Sequence, residues 1–364
     1  MNRSIVKTKL ELLTKGIRLS ESTLDRFPAY KYKRASLSEG ICFDLSSDKW
    51  KKPIPINLPV HEAFAARSPY IFDENRSIIL KNGSPFLNAS IIYPPSWYAD
   101  NLDDGTKYHE VFQLHHRSIL ATSLTNFCEY KSMGKGCHFC AMGHGIDRPK
   151  KKSPTQITSV LKNLLKKGHK FTEININSGC MVNEKASINL YRDAVMAVKS
   201  VEDIPIYAQL APPSDLGELD SLVSEGIASL SFNIEIYDSK IRRELMPQKG
   251  KIPVEYYLKT LEYAAKLIGP GQVSSWLIAG LEPCQNTISA IEKITDLGVI
   301  PFVTVFRPLT GSDMESYPPP DPDSLLPIFE TLEERLRKLN LDPESTLCGC
   351  VKCNCCSALQ EIFT

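Results

Sequence analysis

Three cysteines, Cys128, Cys137 and Cys140, form a C-x8-C-x2-C array within the stretch TNFCEYKSMGKGCHFCAMGHG at positions 125–145. Thiolates this close, on a loop loosened by Gly134 and Gly136, can converge on one metal centre. No fourth cysteine lies in the stretch. Zinc in a structural site prefers four closed ligands. A [4Fe–4S] cluster held by three thiolates keeps one iron open, and chemistry can occur there.

A second group of thiols stands at 348–356, where Cys348, Cys350, Cys353, Cys355 and Cys356 fall within nine residues. Such density suits another iron–sulfur or mononuclear metal site. Cys348, Cys350, Cys353 and Cys356 are the candidate ligands; the alternative is a flexible tail that binds metal loosely. The eleven cysteines are clustered in a 364-residue chain, unlike the spread framework of a short secreted disulfide domain.

The elements that must position these groups follow a strand–helix rhythm. Strands are expected at 118–125, 171–177, 204–209, 229–235, 272–279 and 300–306. Helices are expected at 154–167, 185–199, 215–225, from Ser239, at 254–268, 286–297 and 323–339. Ser153-Pro154 is a helix start, so the cysteines sit on a strand-to-helix loop. Six such units with right-handed crossovers predict an α/β fold, an open (β/α)6 partial TIM barrel. Its functional end is where the strands finish. Residues 1–116 read as a β-rich accessory region, 117–315 as the barrel, and 316–364 as a helix with a cysteine-rich tail.

The net charge is +1 with 23% charged residues, which gives no electrostatic case for nucleic acid or an acidic membrane as partner. No apolar run approaches a membrane span. The first twenty residues are amphipathic and lack a signal-peptide core, so a surface helix and a cytoplasmic location are expected.

The array, with Phe139 before its last cysteine, resembles the radical S-adenosylmethionine (SAM) superfamily. There, three cysteines after the first barrel strand hold [4Fe–4S], and SAM chelates the fourth iron. The usual first gap is three residues, and here it is eight. The resemblance continues at later strand ends. Ser178-Gly179 stands where the superfamily's Gly-Gly-Glu-like element receives the methionine amino group, without the second glycine or the Glu. Asn233 and Glu235 project to one side of their strand by alternation. They match the Asn-x-Glu of the biotin synthase and lipoyl synthase branch, which contacts ribose and methionine. Arg242 matches that branch's SAM-carboxylate arginine, with Arg243 as competitor. Gly280, in Trp276-Leu-Ile-Ala-Gly-Leu-Glu282, matches an adenine-side element. Arg307 and the aromatics Tyr93, Trp97 and Tyr98 are further candidates for substrate contact.

The resemblance implies reductive cleavage of SAM to a 5′-deoxyadenosyl radical, which abstracts hydrogen from a small-molecule substrate. Sulfur insertion is one outcome it suggests. It also implies a flavodoxin- or ferredoxin-type reductant. The competing classes are a non-catalytic iron–sulfur or zinc scaffold or redox sensor, and a zinc hydrolase on a barrel. The polar set at successive strand ends favours the enzyme, because a scaffold does not require it.

Overall fold

The structure is a computed structural model that describes residues 2–26, 40–144 and 150–363; Gly145, the last residue of the cysteine stretch, lies outside them. The first sheet holds β1 (Ile41–Ser46), β2 (Ile54–Leu58), β3 (Tyr70–Asp73), β4 (Ile78–Lys81) and β5 (Ser84–Ile91), all antiparallel, in the order β2-β1-β5-β4-β3. The N-terminal helix Arg3–Lys15 packs with it. Ile5, Val6, Leu10, Leu12 and Leu13 are buried, so only part of the expected surface helix meets solvent.

The second sheet holds β6 (Gln113–His115), β7 (Ile119–Ser123), β8 (Glu173–Asn177), β9 (Ile206–Gln209), β10 (Ile227–Ser231), β11 (Val273–Ala279) and β12 (Ile300–Val305). The strands run in sequence order across it, and β7 to β12 are parallel, as the six-unit rhythm predicts. β6 is an addition, a short antiparallel edge strand on β7.

Alternation sorts the side chains of each strand. In β8, Ile174 is fully buried in the core, whereas Asn175 and Asn177, two residues apart, line an interior cavity. The helices begin where the sequence places their caps. Ser153 and Gln156 form a reciprocal capping box before Pro154–Lys166, Asn183 caps Glu184–Lys199, and Asp238 caps Ser239–Leu245.

The C-terminal segment closes the end at which the strands begin. The Gly349 N–H donates to Glu173 Oε1 at 2.7 Å, and a Cβ on Gly349 would fall 2.4 Å from the Tyr207 ring. Lys9 Nζ, 1% exposed, donates to the Asn354 carbonyl at 2.8 Å and to Glu361 at 3.1 Å. The Asn354 amide also donates to Glu361. The tail is thus built into the barrel floor, and a loosely attached tail does not fit this packing.

Burial pushes the Glu173 carboxyl up to about 7, against the pull of the Gly349 N–H. A carboxyl raised above its unfolded value of 4.5 supports folding fully below that value, and the support is lost as pH rises through about 7. Glu173→Gln keeps the acceptor and removes the buried charge. Its melting temperature should exceed that of the parent at pH 8 and match it near pH 4. A variant that melts lower than the parent at pH 8 would refute this reading of the floor.

Candidate active site at the barrel mouth

The cysteine loop leaves β7 and lies across the end of β8. The Gly179 N–H donates to Thr125 Oγ1 at 3.0 Å, and that hydroxyl donates to the Phe127 carbonyl at 2.9 Å. The Glu129 N–H donates to the Cys180 carbonyl at 2.9 Å, and the Val182 N–H to Glu129 Oε2 at 2.7 Å. Contact is so close that a Cβ on Gly179 would fall 1.9 Å from the Phe127 carbonyl oxygen. Farther along the loop, Lys131 Nζ donates to the Cys140 carbonyl and the His138 N–H to the Leu245 carbonyl.

The result is a cavity of about 200 Å³ at the C-terminal ends of the strands. Cys128, Cys137 and Cys140 line it together with Phe139, Ser178, Gly179, Asn233 and Glu235. None of these cysteines is in a disulfide. A hydrogen bond from the Cys180 thiol draws Cys128 down to about 6, against burial and with help from backbone N–H groups. Burial pushes Cys140 up to about 11 and Cys137 well above its usual value. Among the described residues no three Cys, His, Asp or Glu side chains already converge at metal-binding distance. The donor set nonetheless fits a cluster: three soft thiols share one wall, and the cavity beside them is lined by polar groups that can receive a chelating ligand.

Glu235 has φ 65°, a left-handed conformation costly for a non-glycine residue. Its backbone is held on both sides, donating to the Trp276 carbonyl and accepting from the Ile278 N–H. The carboxylate pairs with Lys249 Nζ at 2.8 Å, with the two side chains 8% and 12% exposed. Burial pulls the Lys249 ammonium down, and Glu235 more than offsets it, so its pKa stands above the ordinary value. Lys249 lines the cavity, and its only mark in the sequence is its place in Met246-Pro-Gln-Lys-Gly250. A lysine this deeply buried is uncommon and is compensated here by its ion pair with Glu235.

Arg242 is placed differently. It is 1% exposed and stacks 4.6 Å from the Tyr257 ring centroid, with Nη1 donating to the Ile234 and Ile236 carbonyls. Its Nε and Nη2 have no hydrogen-bond partner among the described residues. The guanidinium braces the Glu235 turn and does not line the cavity. Gly280, at φ 101°, also lies off the cavity: a Cβ there would meet Pro320 at 2.7 Å, so the close approach it permits is to another part of the chain. Glu282, beside it, accepts the Tyr237 and Asp238 N–H groups and so fixes the same turn.

A second cavity of about 130 Å³ shares Phe139, Glu235 and Asn177 with the first and runs down the barrel interior to the tail cysteines. Arg307 lines it, with its guanidinium donating to Asn57 Oδ1 and the Asn57 carbonyl and lying 3.6 Å from Glu62. Tyr93, Trp97 and Tyr98 line neither cavity; Trp97 is buried, and Tyr98 Oη accepts the Leu114 N–H.

Gly179→Ala should push the Phe127 carbonyl and Cys128 together away from the end of β8. The variant is expected to melt lower and to take up less iron on anaerobic reconstitution. Parent-like melting and iron content together would show that the loop does not depend on this contact.

No protein-family model matches the chain. A curated relative is the bacteriochlorophyllide c C-7(1)-hydroxylase of Chlorobaculum limnaeum, 25% identical over 260 residues, which are 66% of this chain. The chain spans 65% of the length of that relative. Similar solved structures include the [FeFe]-hydrogenase maturase HydG of Carboxydothermus hydrogenoformans, at TM-score 0.48 and 18% identity over 61% of this chain and 51% of that one. Methylornithine synthase PylB has TM-score 0.47 and 17% identity over 58% and 62% of the two chains. The Escherichia coli coproporphyrinogen III oxidase HemN, described as a radical SAM enzyme, has TM-score 0.41 and 17% identity over 61% and 52%. The proteins to which this chain is similar thus include radical SAM enzymes.

Proposed function

We propose that the chain is a radical SAM enzyme that removes a hydrogen atom from a carbon of a small-molecule substrate. The observation that carries this reading is the shared cavity. The three loop cysteines, the Ser178-Gly179 turn, Asn233 and Glu235 come from separate strand ends, and all line it. A scaffold or redox sensor needs the thiols but not the polar set facing them.

When bound, a [4Fe–4S] cluster would supply the electron for reductive cleavage of SAM, which generates the hydrogen-abstracting radical. Cys128, Cys137 and Cys140 would hold the cluster. The Ser178-Gly179 backbone would receive the methionine amino group, and Asn233 and Glu235 the ribose and methionine. Lys131 and Lys249 both line the cavity; Lys131 is engaged by backbone carbonyls, and Lys249, beside Glu235, would take the carboxylate role for which the sequence offered Arg242. Binding would exchange one partner of Lys249 for another, which keeps the buried ammonium compensated. The lower cavity, with Phe139 and Glu235 at its junction to the upper one, would hold the substrate away from water.

A flavodoxin- or ferredoxin-type protein is the proposed electron source. The curated relative is named for a hydroxylation. Removal of a carbon-bound hydrogen is a fitting first step towards hydroxylation, and equally towards the sulfur insertion expected from the sequence.

Anaerobically reconstituted protein with dithionite and SAM should release 5′-deoxyadenosine, and Cys137→Ala should abolish it. Lys249→Met should weaken SAM binding about tenfold, roughly 1.4 kcal/mol. Arg242→Leu should act mainly on the melting temperature. No 5′-deoxyadenosine from iron-loaded parent protein would sink the reading. Unchanged SAM affinity in Lys249→Met would remove Lys249 from it.

A further inference from the structure

We propose a second metal site at the barrel floor, held by Cys42 of β1 together with Cys350, Cys353 and Cys356 of the tail, with Cys348 excluded. The inference does not depend on the reading of the upper site.

The tail places its thiols by simple geometry. Cys350 and Cys353 begin and end a single helical turn, and a spacing of three puts them on one face. Asn354 then adopts a left-handed conformation at φ 53°, which reverses the chain and returns Cys356 to the same cavity. That reversal is locked by Lys9 and Glu361, both buried and both bonded to Asn354. The Asn57 N–H donates to the Cys355 carbonyl at 2.8 Å, which docks the tail on the first sheet beside Cys42. Cys42 neighbours both Cys355 and Cys356, and Cys353 neighbours Cys350, Cys355 and Cys356. Cys42 and these four tail thiols line the lower cavity. Cys348 does not; it is buried next to Ser229 and Glu173.

The surroundings of Cys350 point to a ligand. Gln209 Nε2 donates to its sulfur at 3.1 Å. Tyr207 Oη and Trp276 Nε1 face the same sulfur, and Trp276 Nε1 is a buried donor with no other partner among the described residues. A neutral thiol is a weak acceptor and gives three donors little. A metal-bound thiolate in an apolar interior is the species such donors stabilise, and hydrogen bonds to sulfur tune the centre they surround.

As at the barrel mouth, the thiols do not yet stand at ligating distance. Cys355 holds Cys353 and Cys42 by hydrogen bonds, and side-chain rotation would release them. An all-thiolate set of this kind takes a soft metal, either an iron–sulfur cluster or zinc. Because the lower cavity also reaches Glu235 and Phe139, a substrate there would lie between two metal centres.

The test uses the full chain carrying Cys128→Ala, Cys137→Ala and Cys140→Ala, so that bound metal reports only the floor. It is incubated anaerobically with ferrous iron and sulfide, or with zinc alone, and metal per chain is counted. The expected result is about four irons, or one zinc, with thiolate-to-metal absorption. Adding Cys42→Ala or Cys353→Ala should bring bound metal near zero, and adding Cys348→Ala should leave it unchanged. Circular dichroism melts identify variants that fail to fold. Trp276→Phe keeps an aromatic ring, though a smaller one, and removes the donor; it should retain the metal and shift its absorption band. No metal in the triple variant would overturn the proposal, as would loss with Cys348→Ala and retention with Cys42→Ala. SAM cleavage plays no part in this readout, so its failure and that of the proposed activity are separable.

Discussion

The missing side chain at Gly179 governs the site. With its own N–H and the Phe127 carbonyl both bonded to the Thr125 hydroxyl, the cysteine loop can rest directly on the end of β8. A single methyl group would occupy the place of the carbonyl oxygen. From that contact the rest follows: Cys128 reaches Cys180, the Glu129 backbone and side chain bond to the chain beyond β8, Lys131 ties the loop to itself and to Gly311 beyond β12, and His138 bonds to the end of the helix after β10. Three strand ends distant in sequence thereby enclose one cavity.

With Asn175, Asn177 and Gln209 on its inner face, the barrel interior needs hydrogen-bond partners for them. It is sealed at the floor by the tail and left open in two connected spaces above. Glu235 stands where those spaces meet, held in a strained conformation by backbone bonds to β11 and by Lys249. A buried ion pair is weak evidence for stability, because desolvation opposes the attraction. Strain and a buried pair with Lys249 thus coincide at a residue that lines both cavities.

The parallel strands were legible because their period and their turns repeat. The details that failed are those set by tertiary partners. The strand expected at 229–235 ends at Ser231, because the Asn233 side chain takes the Trp276 N–H and Ser275 Oγ takes the Ile234 N–H. β6 is three residues of mixed polarity and carries no pattern. That Lys249 lines the cavity and Arg242 does not depends on the direction of the chain after the Glu235 turn, which spacing along the sequence does not show. Cys42 is some 300 positions from the tail cysteines, and only the docking of β1 and β2 on the tail brings them together. Spacing alone could not show that Cys348 turns away from them.

The most direct measurement is the EPR spectrum of the reduced, anaerobically reconstituted protein with and without SAM. An iron left open by Cys128, Cys137 and Cys140 predicts a [4Fe–4S]⁺ signal whose g-values move when SAM is added. A signal that SAM leaves unchanged, or a protein that binds zinc and gives no such signal, would contradict the open iron and return the chain to the class of metal-bearing scaffolds.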